Sequence, residues 1–386
     1  MKIVFAGGGS GGHIIPIIAI VRELKKYEQT IAKQTKKGVV YDTLEYVFLG
    51  PKGELDYLLL EEGIKVVNIS SGKFRRTAGV LDVFNNSIDI VFRIPLGLIQ
   101  AYFWILFNLF SIKLIFCKGG YGAVPASLAG WLLYKKVYLH ESDSIPGAAN
   151  RLIGTFADKI YISFVQKKLW FPPQKTTLVG NPVRESLLMG NKGTAGQMFS
   201  LSFEKPIVLI VGGSQGSQRF NDMVLNVLDQ ILLEFEVIHQ CGTANIKQYL
   251  QMCERLMPEN LCKYYHLAGF LDDAQYANAL AAADVVISRA GSGSIFEIAK
   301  AGKPSILIPL PESAQNHQYM NAFIYSRAGA ATIMEEGNFT PNLFLEQIRV
   351  IANDSAKREQ MSRAAKEFAK INAAQIIASD IYSLLS

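Results

Sequence analysis

The sequence has few cysteines, and they follow no regular spacing. The chain of 386 residues contains only Cys117, Cys241, Cys253 and Cys262. This pattern predicts neither a disulfide framework nor a zinc site and is typical of a reducing compartment. Met1 leads directly into an apolar strand, so we also expect no signal peptide. These absences favour a protein of the cytoplasmic side.

Strong charge of one sign is also lacking. Lysine and arginine number 39 against 33 aspartates and glutamates, a net charge of +6. No nucleic-acid-binding motif is present, so we expect no nucleic-acid partner. No Asp-x-Asp motif stands at a predicted strand end, and we expect no metal ion. A basic surface would have to be local, and Lys73, Arg75 and Arg76 form one such cluster on a predicted loop.

The length and composition predict two folded domains. A chain of 386 residues exceeds what one core usually serves, and 49% of the residues are hydrophobic. An order of strand, glycine turn and helix begins at residue 2 and starts again at residue 207. We place the boundary at the Gly-Asn-Pro-Val-Arg turn, giving domains 1–180 and 181–386. Residues 28–45 lack apolar periodicity and are interpreted as a surface insertion.

Residues 283–321 carry the strongest site signal. An apolar run over 284–288 predicts a buried strand, and Gly291 to Ser294 form a turn that opens a helix. Free N–H groups at such a turn attract phosphate. Glu297, one turn into the helix, could accept hydrogen bonds from ribose hydroxyls, and the polar run 315–318 follows the next strand. The alternative is an ordinary βαβ unit with turn and capping glycines.

Further glycine turns support the phosphate interpretation. They lie at residues 7–12, 119–122 and 212–216, each after an apolar run. The first matches G-x-G-x-x-G, yet the second strand ends in Gly50-Pro51 rather than an acidic residue, which disfavours a nicotinamide site. His13 follows this turn. It either caps and packs at the helix start or acts as a general base.

Residues 94–112 contain no charge, and 19 residues are enough to cross a bilayer. The flanking strands belong to one alternating α/β pattern, which argues against a true span. A narrow stripe of less apolar residues recurs along the segment: Gly97, Gln100, Trp104, Asn108 and Ser111. We favour an interfacial helix on an anionic membrane surface, with residues 73–76 beside it. A buried core helix and a span are the alternatives.

The motifs GGGSGGH, GGYGAVPA, HESD, GNPVR, VGGSQG, FLDD, RAGSGSIFEIAKAGKP and NHQYMNA occur in this order across nearly the whole chain. In combination they resemble the MurG family of UDP-N-acetylglucosamine transferases. The resemblance implies an α/β GT-B fold, in which two Rossmann-like domains face each other across a cleft. It also implies a last helix that returns to the first domain, and no cofactor.

The resemblance assigns site residues motif by motif. Those at the donor would be Ser10, Gly11, Gly12, Arg184 and Ser214 at the diphosphate, Leu271 at the uracil through its backbone, Ser292, Gly293 and Ser294 around the phosphates, Glu297 at the ribose, and His317 and Gln318 at the sugar. Ile295 and Phe296 would be further substrate-binding residues. The family often has Gln-Asn where this chain has Ser142-Asp143, so as a sugar contact Asp143 would accept a hydrogen bond from a hydroxyl but could not donate one. Ser10 stands in place of the usual threonine and keeps the hydroxyl.

The implied reaction is inverting transfer of N-acetylglucosamine from UDP-N-acetylglucosamine to the 4-hydroxyl of undecaprenyl-pyrophosphoryl-N-acetylmuramyl-pentapeptide, a step of peptidoglycan synthesis. His13 is the first choice as general base, with Glu141 or Asp143 in reserve. The implied location is the cytoplasmic face of the bacterial membrane, as a peripheral protein. The alternatives are a UDP-sugar transferase for another lipid and a non-catalytic nucleotide-sugar-binding protein.

Overall fold

The computed structural model describes residues 1–34, 44–72, 89–166, 168–213, 217–256 and 258–385. The chain forms two compact domains, the first of Met1–Val183 with Asn372–Ser386 and the second of Arg184–Ile371. The sequence pattern placed the boundary after residue 180, and the structural division falls after Val183.

The first domain contains a seven-stranded parallel sheet in the order β3-β2-β1-β4-β5-β6-β7. Most of its central strand residues are buried because helices cover both faces of the sheet. The strands are β1 Lys2–Gly7, β2 Glu45–Gly50, β3 Lys65–Asn68, β4 Ile112–Gly119, β5 Lys136–Glu141, β6 Lys159–Ile162 and β7 Thr176–Leu178.

The helices of this domain include one from the end of the chain. They are α1 Gly11–Gln34, α2 Asp56–Glu61, α3 Ile94–Phe107, α4 Val124–Leu132, α5 Ala148–Phe156 and the C-terminal helix Ala373–Ser383. The C-terminal helix packs on α1, and Ile377 and Ile381 join its apolar cluster. The Asp380 carboxylate accepts a hydrogen bond of 2.9 Å from the Tyr161 hydroxyl. Residues 28–34 belong to α1, so the predicted insertion begins too early, and residues 35–43 lie outside the described part.

The second domain contains a six-stranded parallel sheet in the order β10-β9-β8-β11-β12-β13. Its strands are β8 Ile207–Val211, β9 Glu236–Gln240, β10 Tyr265–Ala268, β11 Val285–Ser288, β12 Ser305–Leu307 and β13 Ala331–Ile333. Its helices are α6 Lys192–Phe199, α7 Gln218–Leu225, α8 Leu228–Glu234, α9 Ile246–Leu256, α10 Glu259–Cys262, α11 Asp273–Ala282, α12 Ser292–Lys300, α13 His317–Arg327, α14 Pro341–Ala352 and α15 Ser355–Phe368.

Each sheet has a topological switch point, and the two occupy equivalent positions in the strand orders. Strand order reverses between β1 and β4 in the first domain and between β8 and β11 in the second. Open parallel sheets bind ligands outside the carboxyl ends of the strands at such points. The predicted glycine turns at residues 7–12 and 119–122 flank one switch point, and the turn at 291–294 lies at the other. The order is that of Rossmann-like domains, as predicted.

Helix α3 is shorter than the uncharged segment predicts. It ends at Phe107, and β4 begins at Ile112. Its buried residues are Gly97, Ala101 and Ile105. A Cβ on Gly97 would lie 1.8 Å from the Ser70 carbonyl oxygen, so only glycine allows this approach. Six other large apolar side chains point to solvent: Leu96, Ile99, Phe103, Leu106, Phe107 and, in the following turn, Phe110.

Within the described ranges, no helix combines the length and the apolar character needed to cross a membrane. The basic cluster Lys73, Arg75 and Arg76 lies outside those ranges.

Packing of the C-terminal helix predicts a difference between two neighbouring isoleucines. Ile377 is fully buried, whereas Ile376 is 37% exposed. Ile377→Ala should destabilise the first domain by about 2–5 kcal/mol because it leaves a cavity. Ile376→Ala should cost less than about 1 kcal/mol. Trp104, Trp131 and Trp170 all lie in this domain, so tryptophan fluorescence during urea unfolding measures it selectively. Equal effects of the two substitutions would contradict this packing.

Candidate functional site

His13 lies in a slot between two glycine turns of the first domain. A Cβ on Gly8 would be 2.7 Å from the His13 Nδ1 atom, and one on Gly120 would be 3.0 Å from the Cε1 atom. Gly120 also has a φ of +76°, which favours glycine. The Ser10 hydroxyl is 3.2 Å from Nδ1. The imidazole is therefore held in place by main chain on two sides.

The surroundings of His13 keep its imidazole neutral. Burial, followed by the positive charge of Lys118, lowers the pKa of His13 to about 4, although Asp143 opposes this. An imidazole that is uncharged at neutral pH can accept a proton. His13 is therefore in the unprotonated form that the predicted base requires, and its role as the base stays a prediction.

Glu141 closes the cluster from the end of β5. It is 2% exposed, and its Oε1 accepts a hydrogen bond of 2.8 Å from the Asp143 backbone N–H. Its Oε2 accepts one of 2.7 Å from Asn150, whose Oδ1 accepts the Gly120 N–H at 3.0 Å. Burial raises the pKa of Glu141 to about 8. These contacts make Glu141 a support of the Gly120 turn and of the loop after β5, and they identify Asn150, which the sequence analysis missed.

The other predicted residues of the first domain lie nearby. Ser10 and Gly12 are exposed at the start of α1, while Gly11 is buried. Asp143 is half-buried in the loop after β5. The helix start thus presents backbone N–H groups beside the His13 slot.

The second domain places the predicted phosphate turn at its own switch point. Gly291 precedes α12, whose first residues are Ser292, Gly293 and Ser294. Ile295 and Phe296 are buried, so their side chains pack inside the domain, and the Ile295 N–H donates to the Gly291 carbonyl at 3.0 Å. The turn follows Arg289, which contacts the Ser217 Oγ at 3.0 Å and the Ile308 carbonyl at 3.2 Å.

Glu297 is held by Arg184. The guanidinium donates to the Glu297 carboxylate at 3.0 Å and also pairs with Asp273. Burial raises the pKa of Glu297, and Arg184 only partly offsets it. Burial lowers the pKa of Arg184, but the two carboxylates outweigh that and raise it. Arg184 was predicted at a diphosphate, and in this structure its terminal nitrogens are occupied by carboxylates.

Gln240 links two loops at the edge of the second sheet. Its side chain donates to the Gly213 carbonyl at 3.1 Å and accepts the Leu271 N–H at 3.2 Å. The predicted Leu271 contact through the backbone must therefore use its carbonyl or follow a change of this bond. Ser214, predicted at the diphosphate, lies outside the described residues.

His317 and Gln318 begin α13 behind two residues in the left-handed conformation, Gln315 and Asn316. The His317 Nδ1 is 2.7 Å from the Ala314 carbonyl oxygen, and Gln318 accepts the Leu310 N–H at 3.0 Å. The polar run 315–318 thus forms a turn held by hydrogen bonds. Among the described residues no group of three or more His, Cys, Asp or Glu side chains could hold a metal ion.

Lys118 is the most conspicuous residue that the sequence analysis missed. It is 1% exposed at the end of β4 and contacts the Ser142 hydroxyl. Its position, a charged residue at the end of an apolar strand and just before two glycines, was the available signal.

Comparisons with known proteins agree with this geometry. Residues 3–162 match the glycosyltransferase family 28 N-terminal domain, and residues 207–377 match the C-terminal domain of that family. A protein of Bacillus thuringiensis (strain Al Hakam) named UDP-N-acetylglucosamine--N-acetylmuramyl-(pentapeptide) pyrophosphoryl-undecaprenol N-acetylglucosamine transferase 3 is 33% identical over 378 residues, 97% of each chain. The transferase of that name from Treponema pallidum is 32% identical and covers 99% of this chain and 95% of its own.

The crystal structure of Acinetobacter baumannii MurG has the same fold, with a TM-score of 0.71, 24% identity and 99% coverage of both chains. Two Rossmann-like domains that match these family models define a two-domain glycosyltransferase. The chain belongs to glycosyltransferase family 28 and, within it, to the MurG family. The predicted family and fold class are confirmed.

The slot predicts that Gly8 cannot be replaced. Gly8→Ala would push the imidazole away, and a displacement of about 1 Å is expected to lower the rate of glycosyl transfer about 100-fold. Gly147→Ala is the matched control, because no heavy atom lies within 4 Å of its added Cβ. Steady-state transfer rates, with circular dichroism to verify folding, test this. A Gly8→Ala enzyme as active as the control would show that the imidazole position is unimportant.

Proposed function

We propose that the protein transfers N-acetylglucosamine from UDP-N-acetylglucosamine to the 4-hydroxyl of a lipid-linked N-acetylmuramyl-pentapeptide, with inversion at the anomeric carbon. The observation that carries this proposal is the His13 imidazole, held between two glycine turns at the ligand-binding edge of a sheet. The names of full-length relatives, which state this donor and this acceptor, support the choice of substrates.

The first domain supplies the base in this proposal. The acceptor hydroxyl attacks the anomeric carbon, its O–H bond breaks, and the proton passes to His13. The bond from the anomeric carbon to the UDP oxygen breaks at the same time, and the electron pair leaves with UDP. Glu141 serves by holding the Gly120 turn through Asn150 rather than as the base, because both of its oxygens accept hydrogen bonds.

The second domain supplies the donor site. The N–H groups that begin α12 receive the diphosphate, and Glu297 accepts hydrogen bonds from the ribose. Arg184 orients the Glu297 carboxylate and favours its charged form, because it pairs with it inside the domain. Its predicted contact with the diphosphate stays a prediction, as do those of Ser214, His317 and Gln318.

The two roles predict opposite outcomes for two substitutions. His13→Ala should reduce transfer by about 10²–10⁴-fold while leaving UDP affinity unchanged, because it removes only the base. Glu297→Ala should weaken UDP binding by about 10–100-fold, since a hydrogen bond to a charged group is lost. Radiolabelled transfer to a short-chain analogue of the lipid-linked muramyl-pentapeptide and calorimetry with UDP measure the two effects.

A defined outcome would contradict each of these two predictions. Undiminished transfer by His13→Ala would remove His13 as the base, and unchanged UDP affinity in Glu297→Ala would remove the donor-site assignment. No transfer by the wild-type protein despite UDP binding would point to another acceptor. Because the pKa of His13 is about 4, its protonation should not slow wild-type transfer between pH 8 and pH 6.

The proposed location is the cytoplasmic face of the bacterial membrane, where α3 would meet the lipid. Phe103, Phe107 and Phe110 are 50%, 83% and 96% exposed. The side of α3 that faces the protein carries Gly97, Ala101 and Ile105, and Gly97 makes the close backbone contact. A helix with its bulky apolar side chains outward suits the interface of a bilayer, whose acyl chains would cover them.

Vesicle flotation tests this location. Wild-type protein should float with anionic liposomes, whereas Ile99→Ser/Phe103→Ser/Phe107→Ser should bind at least about tenfold more weakly, because each buried large side chain contributes about 1.5–3 kcal/mol. Leu233→Ser/Leu343→Ser is the control, since these leucines are 63% and 41% exposed in the second domain. Failure of the wild type to float would remove the membrane proposal. An equal loss of binding in the control would show that exposed apolar side chains bind the vesicles non-specifically, whatever their position.

A further inference from the structure

Lys118 is a charged side chain in the interior of the first domain. It is 1% exposed, and lysines are almost never buried to this degree unless they are partnered. Its ammonium donates to the Ser142 hydroxyl and, at 3.2 Å, to the Asn181 side-chain oxygen. These partners lie in the loop after β5 and in the segment after β7. One lysine therefore ties β4 to two neighbouring loops.

The same lysine lies beside His13. A Cβ on Gly7 would be 3.3 Å from the His13 Cβ and 3.6 Å from the Lys118 Cβ, so both side chains leave the backbone over the end of β1. In the strand register, Gly7 is opposite Gly119, the residue after Lys118. The switch point thus brings the two residues together although they are far apart in sequence.

Other titratable groups surround this pair. His140 and Glu141 belong to β5, and Asp143 to the loop after it. Burial, followed by the charge of Lys118, lowers the pKa of His13 and that of His140. Burial lowers the pKa of Lys118 to about 7, although Glu141 and Asp143 oppose this. Glu141 and Asp143 therefore favour the charged form of Lys118, and this charge in turn disfavours protonation of the two imidazoles.

We propose that Lys118 is a positioning residue for glycosyl transfer, which fixes the loops of Ser142 and Asn181 beside the His13 slot and disfavours protonation of the adjacent imidazole before the acceptor binds. This inference rests on the proposed role of His13. The proton that moves in the reaction passes from the acceptor hydroxyl to the imidazole, and Lys118 takes no part in that transfer.

The test measures the titration of His13 directly, without substrate. NMR of protein labelled with ¹⁵N-histidine contains five histidines, and His13→Gln assigns the resonance of interest. Lys118→Met removes the charge at similar length, and it should raise the His13 titration midpoint by about one pH unit, as expected for loss of a neighbouring cation. The acidic limb of the pH profile of kcat/KM should move upward equally. Lys136→Met, at an exposed lysine of the same domain, should leave both unchanged.

Two further measurements separate the outcomes. Lys118→Gln retains a donor for Ser142 and Asn181 without the charge, so it should shift the midpoint as Lys118→Met does even if the latter folds poorly. In the wild type, a His13 midpoint at or above the ordinary 6.5 would overturn the proposal by itself. Loss of activity in Lys118→Gln with an unchanged midpoint would also overturn it and leave a structural role. Since the titration needs no acceptor, a failure of the proposed reaction would be seen separately, in the wild-type transfer assay.

Discussion

Both candidate sites depend on one constraint of the fold. At each switch point, the helices that follow two neighbouring strands pack on opposite faces of the sheet. In the first domain, β1 leads to α1 on one face of the sheet, where Ile14 and Ile17 join the cluster of Ile3 and Phe5. Strand β4 leads to α4 on the other face, where Ala126 joins the cluster of Val4. Because the two helices leave in opposite directions, the carboxyl edge between the strands stays uncovered. Glycines at that edge let the backbone and the His13 ring approach closely.

Burial of charge gives the uncovered edge of the first domain its chemistry. Moving Lys118 and Glu141 out of water is costly, and replacing such a group by an apolar residue is often neutral or favourable for stability. Burial shifts the pKa of Lys118 down to about 7 and that of Glu141 up to about 8. Shifts of this size, beside a neutral imidazole and in a ligand-binding position, are typical of functional sites. Stability alone does not account for this cluster.

Much of the architecture followed from the sequence because it is encoded locally. Apolar runs before glycine turns predicted the strands, and the same turns located His13 and Glu297. Contacts between distant residues were not predictable. Lys118 meets Asn181 across 63 positions, and Arg184 meets Glu297 across 113, a spacing that no local pattern reports.

The length of α3 shows another limit of sequence patterns. The uncharged segment predicted a helix as far as residue 112, but α3 ends at Phe107. Side-chain hydrogen bonds to backbone carbonyls occur where it ends. The Asn108 amide donates to the Trp104 carbonyl at 2.8 Å, and the Ser111 hydroxyl donates to the Asn108 carbonyl at 2.9 Å. Such side chains compete with the backbone ladder, and periodicity does not register that competition.

The orientation of α3 connects the apolar surface to the candidate base within the first domain. Gly97 lies against the Ser70 carbonyl, just beyond the carboxyl end of β3, and a Cβ there would be 3.3 Å from Pro125 at the start of α4. Helix α4 itself begins shortly after Gly120, which borders the His13 slot. The exposed apolar face therefore starts at the same edge of the sheet as the imidazole. An acceptor with a sugar on a lipid carrier needs this combination, since its sugar must reach a base while its lipid stays in an apolar phase. A water-soluble acceptor would give no reason for a helix to present phenylalanines outward and a glycine inward, so the arrangement supports a lipid-linked one.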